Sequence, residues 1–70
     1  MRRDRMLRES VRDRFIVTTT SGETWDGVLR EWDETHLIFV HVKAFVDGKW
    51  VPFDGQLWLQ RIAVDYMQKP

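Results

Sequence analysis

The chain has no cysteine, no asparagine and only two prolines, and no apolar run approaches the ~18 residues a bilayer-spanning helix needs. Without cysteine it has neither a disulfide framework nor a thiolate zinc site, the two commonest staples of small domains. Its Arg-rich start is not followed by the apolar segment of a signal peptide. The expectation is therefore a cytoplasmic protein with no membrane partner. The missing asparagine and the excess of arginine over lysine fit a GC-rich bacterial or phage gene, placing it in bacterial or host cytoplasm. Chemistry-bearing motifs are also lacking, with no phosphate-cradling Gly-rich loop opening a helix and no nucleophile elbow. Asp26, Glu31, Asp33 and Glu34 cluster in sequence, at spacings that read as solvated strand and turn residues. The only two histidines, His36 and His41, are five positions apart, an odd spacing. On a regular strand they would face opposite ways, and only a bulge between them would let them share an ion. No catalytic residue, metal or cofactor is assigned, and the chain reads as a non-enzyme.

What is present is aromatic and strand-forming. Seventy residues, four of them Trp, make one small domain. A single core of this size supplies about 3–5 kcal/mol, which makes self-association a natural source of further stability. Charge is uneven. Residues 1–14 carry six Arg against Asp4, Glu9 and Asp13, and the remaining body is acidic. Arg and carboxylates interleaved at helical spacing read as a solvated helix face. Residues 4–10 are expected to form a short helix with Asp4 as N-cap and Met6, Leu7, Ser10 and Val11 on one face. A helix this short must dock on something to persist.

Phe15 to about Thr20 is β-branched and aromatic, and it stops at Ser21-Gly22, a hairpin signal. On the strand that follows, simple alternation sets Trp25, Gly27, Leu29 and Glu31 on one face. Thr24, Asp26, Val28, Arg30 and Trp32 then lie on the other. A glycine between two large residues of one face marks a bulge, a bend or a close approach of backbone. Leu37 to Val46 is nearly continuously apolar, which implies a strand covered on both faces for much of its length. Asp47-Gly48 is a two-residue hairpin signal, and Lys49 to Phe53 would return alongside. Gln56–Leu59 and Ile62–Met67 are the expected fourth and fifth strands, joined by Gln60-Arg61. Both are apolar on two faces, as suits edges covered by another chain.

The spacing of Phe15, Val17, Gly22, Trp25, Gly27, Leu29, Trp32-Asp33 and Leu37-Ile38-Phe39 resembles the first motif of the Sm/LSm family, Hfq included. The likeness covers about two-thirds of the chain. It implies a mainly β fold: a short N-terminal helix at about 4–10, then a five-stranded bent antiparallel sheet closing into an Sm-like, SH3-like barrel over about 14–68. Family members form rings by pairing the fourth strand of one subunit with the fifth of the next. The resemblance thus implies a homo-oligomer with an interface at Leu57, Trp58, Leu59, Ile62, Val64 and Tyr66. It carries the family's nucleic-acid site onto Asp33, His36 and Arg61. His36 stands nearest the place of the family's base-binding Asn, in a turn one residue shorter, and Arg61 is followed by Ile62 where the family has Gly.

Two roles remain open. One is a self-associating module that binds single-stranded RNA or DNA. The other is a small bacterial or phage interaction or structural protein that grips another protein and no nucleic acid. The acidic body favours the second, and the availability of Arg and aromatic residues for stacking on bases favours the first.

Overall fold

Alternation of buried and more exposed positions along a β-branched and aromatic run begins the sheet. The computed structural model describes Arg8 and residues 12–70. β1 (Arg14–Thr19) buries Phe15 and Val17 and turns Arg14, Ile16 and Thr18 the other way. It is followed by β2 (Thr24–Trp32), β3 (His36–Val46), β4 (Lys49–Pro52), β5 (Leu57–Gln60), a 3-10 turn (Arg61–Ala63) and β6 (Val64–Gln68). The sheet runs β4-β3-β2-β1-β6, and β5 pairs with the same edge of β3 that β4 uses further along. All pairings are antiparallel. The core, inside the bend, is Phe15, Val17, Leu29, Leu37, Phe39 and Val42, with Trp25, Trp32, Leu57, Leu59, Val64 and Met67 packed around it.

Two glycines explain where the chain turns and bends. Gly22 has φ +90°, open to glycine without strain, and its N–H donates to the Thr19 carbonyl at 3.0 Å. Gly27 lies against Phe39 so closely that a Cβ there would stand 3.0 Å from the Phe39 Cβ. The strands approach here because β2 and β3 shift register between Asp26 and Val28 and again between Leu29 and Glu31. His41, at φ +53°, occupies the matching irregularity on β3.

Several expectations are corrected. There are six strands rather than five, because Lys49–Pro52 forms a ladder of its own with Lys43–Val46. The sheet does not close into a barrel. β5 and β6 are joined by the 3-10 turn and do not pair, since that turn sends β6 across to β1 while β5 stays on β3. The last strand accordingly starts at Val64 rather than Ile62, and Ile62, in the turn, is 86% exposed. Trp32 shares the core side with Leu29 because the second bulge reverses the alternation of β2. β3 is buried on both faces only over Leu37–Phe39. Its far end, with Phe45 and Val46, is exposed. The expected helix over 4–10 falls, Arg8 apart, outside the described residues, and no α-helix stands among the elements of the rest.

Candidate nucleic-acid interface

Asp33 organises the β2–β3 turn. Its Oδ1 accepts from the backbone N–H of Thr35 at 2.8 Å, the Thr35 hydroxyl at 3.1 Å and the backbone N–H of His36 at 2.7 Å. The short side chain replaces strand partners that a tight turn leaves unmade, which is why Asp sits here. These N–H groups also hold its carboxyl below the usual carboxylate range, the Thr35 N–H first. The backbone N–H of Asp33 donates to the His36 carbonyl at 3.0 Å and closes the turn.

Arg61 reaches this loop from the 3-10 turn after β5, distant in sequence and adjacent in the fold. Its backbone N–H donates to the Thr35 carbonyl at 2.8 Å, and its guanidinium Nη1 donates to the Asp33 carbonyl at 2.9 Å. The guanidinium carbon lies 5.7 Å from the centre of the Trp32 ring, in cation–π range. The His36 Nδ1 and the Thr35 hydroxyl are 2.8 Å apart. Asp33, His36 and Arg61 therefore share one loop cluster, although 28 residues separate Asp33 from Arg61. A cleft lined by Glu31, Trp32, Asp33 and Ile38 opens beside it.

The cluster is acidic, with Glu31, Asp33 and Glu34 accompanying Arg61. The carboxylates offset much of the guanidinium's field, so the loop's chemistry is chiefly that of stacking and of hydrogen bonds to a planar group, with Arg61 supplying its positive charge. His41 plays no part. It is on the bulge of β3, ~16 Å of strand from His36 at about 3.3 Å per residue, so the bulge does not bring the two onto one ion. Among the described residues no group of three His, Cys, Asp or Glu could hold a metal, and no helix is long and apolar enough to cross a membrane.

Two further aromatic residues belong to the neighbourhood. Trp32 is the platform under Arg61, and Trp58 packs edge-on to His36 with ring centres 6.4 Å apart. Trp32 stands next to Asp33 in the motif, yet strict alternation turns it away from the core, and only the bulge restores it. Trp58 carries no sequence signal for this place beyond its position on a strand opposite Ile38. Of the residues expected at an interface, Leu57 and Leu59 turn inward against the core, and Val64 does so on β6. Trp58, Ile62 and Tyr66 are exposed. All six lie on β5, β6 or the turn between them.

No family model matches the chain, and no curated protein sequence matches it. Solved structures do. The P. aerophilum SmAP1 heptamer is 18% identical with a TM-score of 0.86, over 96% of this chain and 90% of that one. The Pyrococcus abyssii Sm protein in complex with a uridine heptamer is 17% identical with a TM-score of 0.85, over the whole of both chains. A chain of the NatC complex bound to CoA is 20% identical with a TM-score of 0.79, over 91% of this chain and 83% of that one. At these identities it is the backbone path that is shared, and the fold of this chain is that of the Sm proteins.

Proposed function

We propose that the chain is an Sm-like binding module that assembles into a ring of copies and takes single-stranded RNA or DNA at the Asp33, His36 and Arg61 cluster. The carrying observation is that loop cluster, in which one carboxylate positions the backbone of His36 while Arg61 is tied to the same turn. Two features support assembly. Among the described residues, the outer edges of β5 and β6 carry no strand partner, and exposed strand edges are templates for pairing. The exposed Ile62 and Tyr66 lie on the turn and on β6, with Leu57, Leu59 and Val64 on the same strands, while Trp58 of β5 packs edge-on to His36. The two Sm neighbours, one a heptamer and one holding a uridine heptamer, support the same reading. The role is binding rather than catalysis.

Light scattering at micromolar concentration and anisotropy of a labelled oligouridylate in the same sample test both parts. The expected result is a multimer that binds the strand and loses affinity in Arg61→Ala and in His36→Ala. A monomer rejects the ring, and two substitutions without effect reject the site.

A second reading, in which the partner is another protein, is favoured by one surface. The β3–β4 hairpin exposes Phe45, Val46, Trp50, Val51 and Phe53. Co-purification with a protein and an absorbance ratio free of nucleic acid would support that reading instead. The NatC neighbour, a chain within a complex, is consistent with it.

A further inference from the structure

Trp58 is 61% exposed, more than any other large apolar residue among the described ones but Ile62, and it stands on a strand whose core anchoring is done by its neighbours Leu57 and Leu59. Leaving so large an apolar ring in water is costly, and nothing in the core requires it. The indole is held in place: its Nε1 donates to the Gln56 Oε1 at 2.9 Å. That bond occupies the ring's single donor, so Trp58 has only its π-face to offer a partner. The His36 ring meets it edge-on, inclined by 64°, and is itself steadied by the Thr35 hydroxyl at Nδ1. Together they make a corner, a flat aromatic face with a second ring standing beside it. The corner adjoins the Arg61 turn, because Gln60 is paired with His36 and Trp58 with Ile38 along the same ladder.

We infer that Trp58 is a second stacking platform for a nucleobase, beside the Arg61 loop, with His36 as the wall that meets the base edge. The inference rests on the proposed single-strand binding and extends it to a residue outside the Asp33, His36 and Arg61 set. An aromatic face accepts any base, so stacking there adds affinity without selecting sequence, and it neutralises no phosphate. Arg61 is different, since a cation near the strand contributes a salt-dependent term. The two contributions are therefore separable in one titration. A neighbouring copy packed on Trp58 is the rival occupant.

The test is anisotropy of fluorescein-labelled oligouridylate and oligoadenylate over a series of salt concentrations, with native mass measured for each protein. The variants are Trp58→Leu, Trp58→Phe and Arg61→Ala. Trp58→Leu is expected to weaken both strands about 5- to 150-fold, the range for loss of one stacked base. It should leave the assembled mass and the slope of log affinity against log salt unchanged, and Trp58→Phe should recover most of the loss. Arg61→Ala is expected to flatten that slope by about 0.7 for each phosphate that Arg61 neutralises. If Trp58→Leu binds as the unaltered chain does while Arg61→Ala is weakened, the platform is refuted and the loop site stands. If Trp58→Leu instead lowers the assembled mass and Trp58→Phe does not restore it, Trp58 belongs to a subunit interface and the inference is overturned. Failure of the unaltered chain to bind either strand removes both readings.

Discussion

Gly27 and Asp26 are adjacent on β2, and the two residues stabilise the fold by opposite means. Gly27 works by absence. A methyl group there would sit 3.0 Å from the Phe39 Cβ, and Phe39 is 1% exposed, with no room to retreat. Gly27→Ala is expected to cost about 1–3 kcal/mol by denaturant melting, the usual range for overpacking. Phe39→Leu in the same chain should recover part of it, because the close β-carbons stay but the ring no longer blocks adjustment. Asp26 works by charge. It is buried, and Arg14 grips both its oxygens, with Nε at 2.7 Å and Nη2 on the second. The Arg14 hydrogen bonds hold the Asp26 carboxyl below its ordinary value, against the opposing effect of burial. A depressed carboxylate contributes stability above the unfolded value of about 3.9 and loses it as pH falls through the folded value. Acid melts should therefore show stability falling below about pH 4. Asp26→Asn should flatten part of that fall, the remainder coming from Asp33, which is depressed too. A curve for Asp26→Asn that overlays the parent would show the pair to be screened out through Arg14, whose side chain is 58% exposed. An irregularity at Gly27 was legible in sequence, as a bulge, a bend or a close approach of backbone, because a glycine between Trp25 and Leu29 leaves a gap on a face of large side chains. The ion pair was not, since Arg14 and Asp26 meet only through the β1–β2 register.

The β3–β4 hairpin is the element whose stability is least shared with the rest. Asp47 and Gly48 both have positive φ, at +50° and +77°, as a two-residue type I′ turn requires. Every residue of β4 is exposed, and the hairpin's main internal packing is the Phe45–Trp50 ring pair, with centres 5.0 Å apart. Gly48→Val places a β-branched residue at left-handed φ, a cost of about 1–2 kcal/mol. Because so little of the core depends on the hairpin, the loss should be local. Amide exchange is expected to accelerate over residues 45–51 while β1 and β2 keep their protection. Uniform acceleration across the sheet would show the hairpin to be part of the global folding unit. The turn was readable from Asp-Gly between apolar runs. The first bulge of β2 was among the readings that Gly27 allowed, but the second, after Leu29, was not, because it depends on how two strands meet rather than on either strand alone. That is why strict alternation put Trp32 on the wrong face, and with it the platform under Arg61.

At the scale of the whole molecule, the open sheet is the feature on which the proposed assembly rests. A closed barrel would have no edges, whereas here β5 and β6 end the sheet on opposite sides of one 3-10 turn. A chain of this size with exposed apolar residues at both edges gains stability by pairing them between copies. The loop cluster was legible only as far as the Sm motif reached. Asp33 falls in the stretch that resembles the motif and Arg61 is carried over from the same resemblance, but nothing in the spacing revealed that Arg61 bonds to the Asp33 carbonyl. Ile62 separates assembly from folding most cleanly. It makes no part of the core and is 86% exposed, so Ile62→Asp should change the stability of a single copy by no more than about 0.5 kcal/mol. If the turn lies between subunits, the same substitution buries a charge between copies and should lower the assembled mass at micromolar concentration. Denaturant melts and light scattering on the one variant then give two independent numbers. A lowered mass with unchanged single-copy stability places the subunit interface at the turn. An unchanged mass places assembly elsewhere on the molecule, and the exposed Phe45–Trp50 hairpin becomes the next surface to alter.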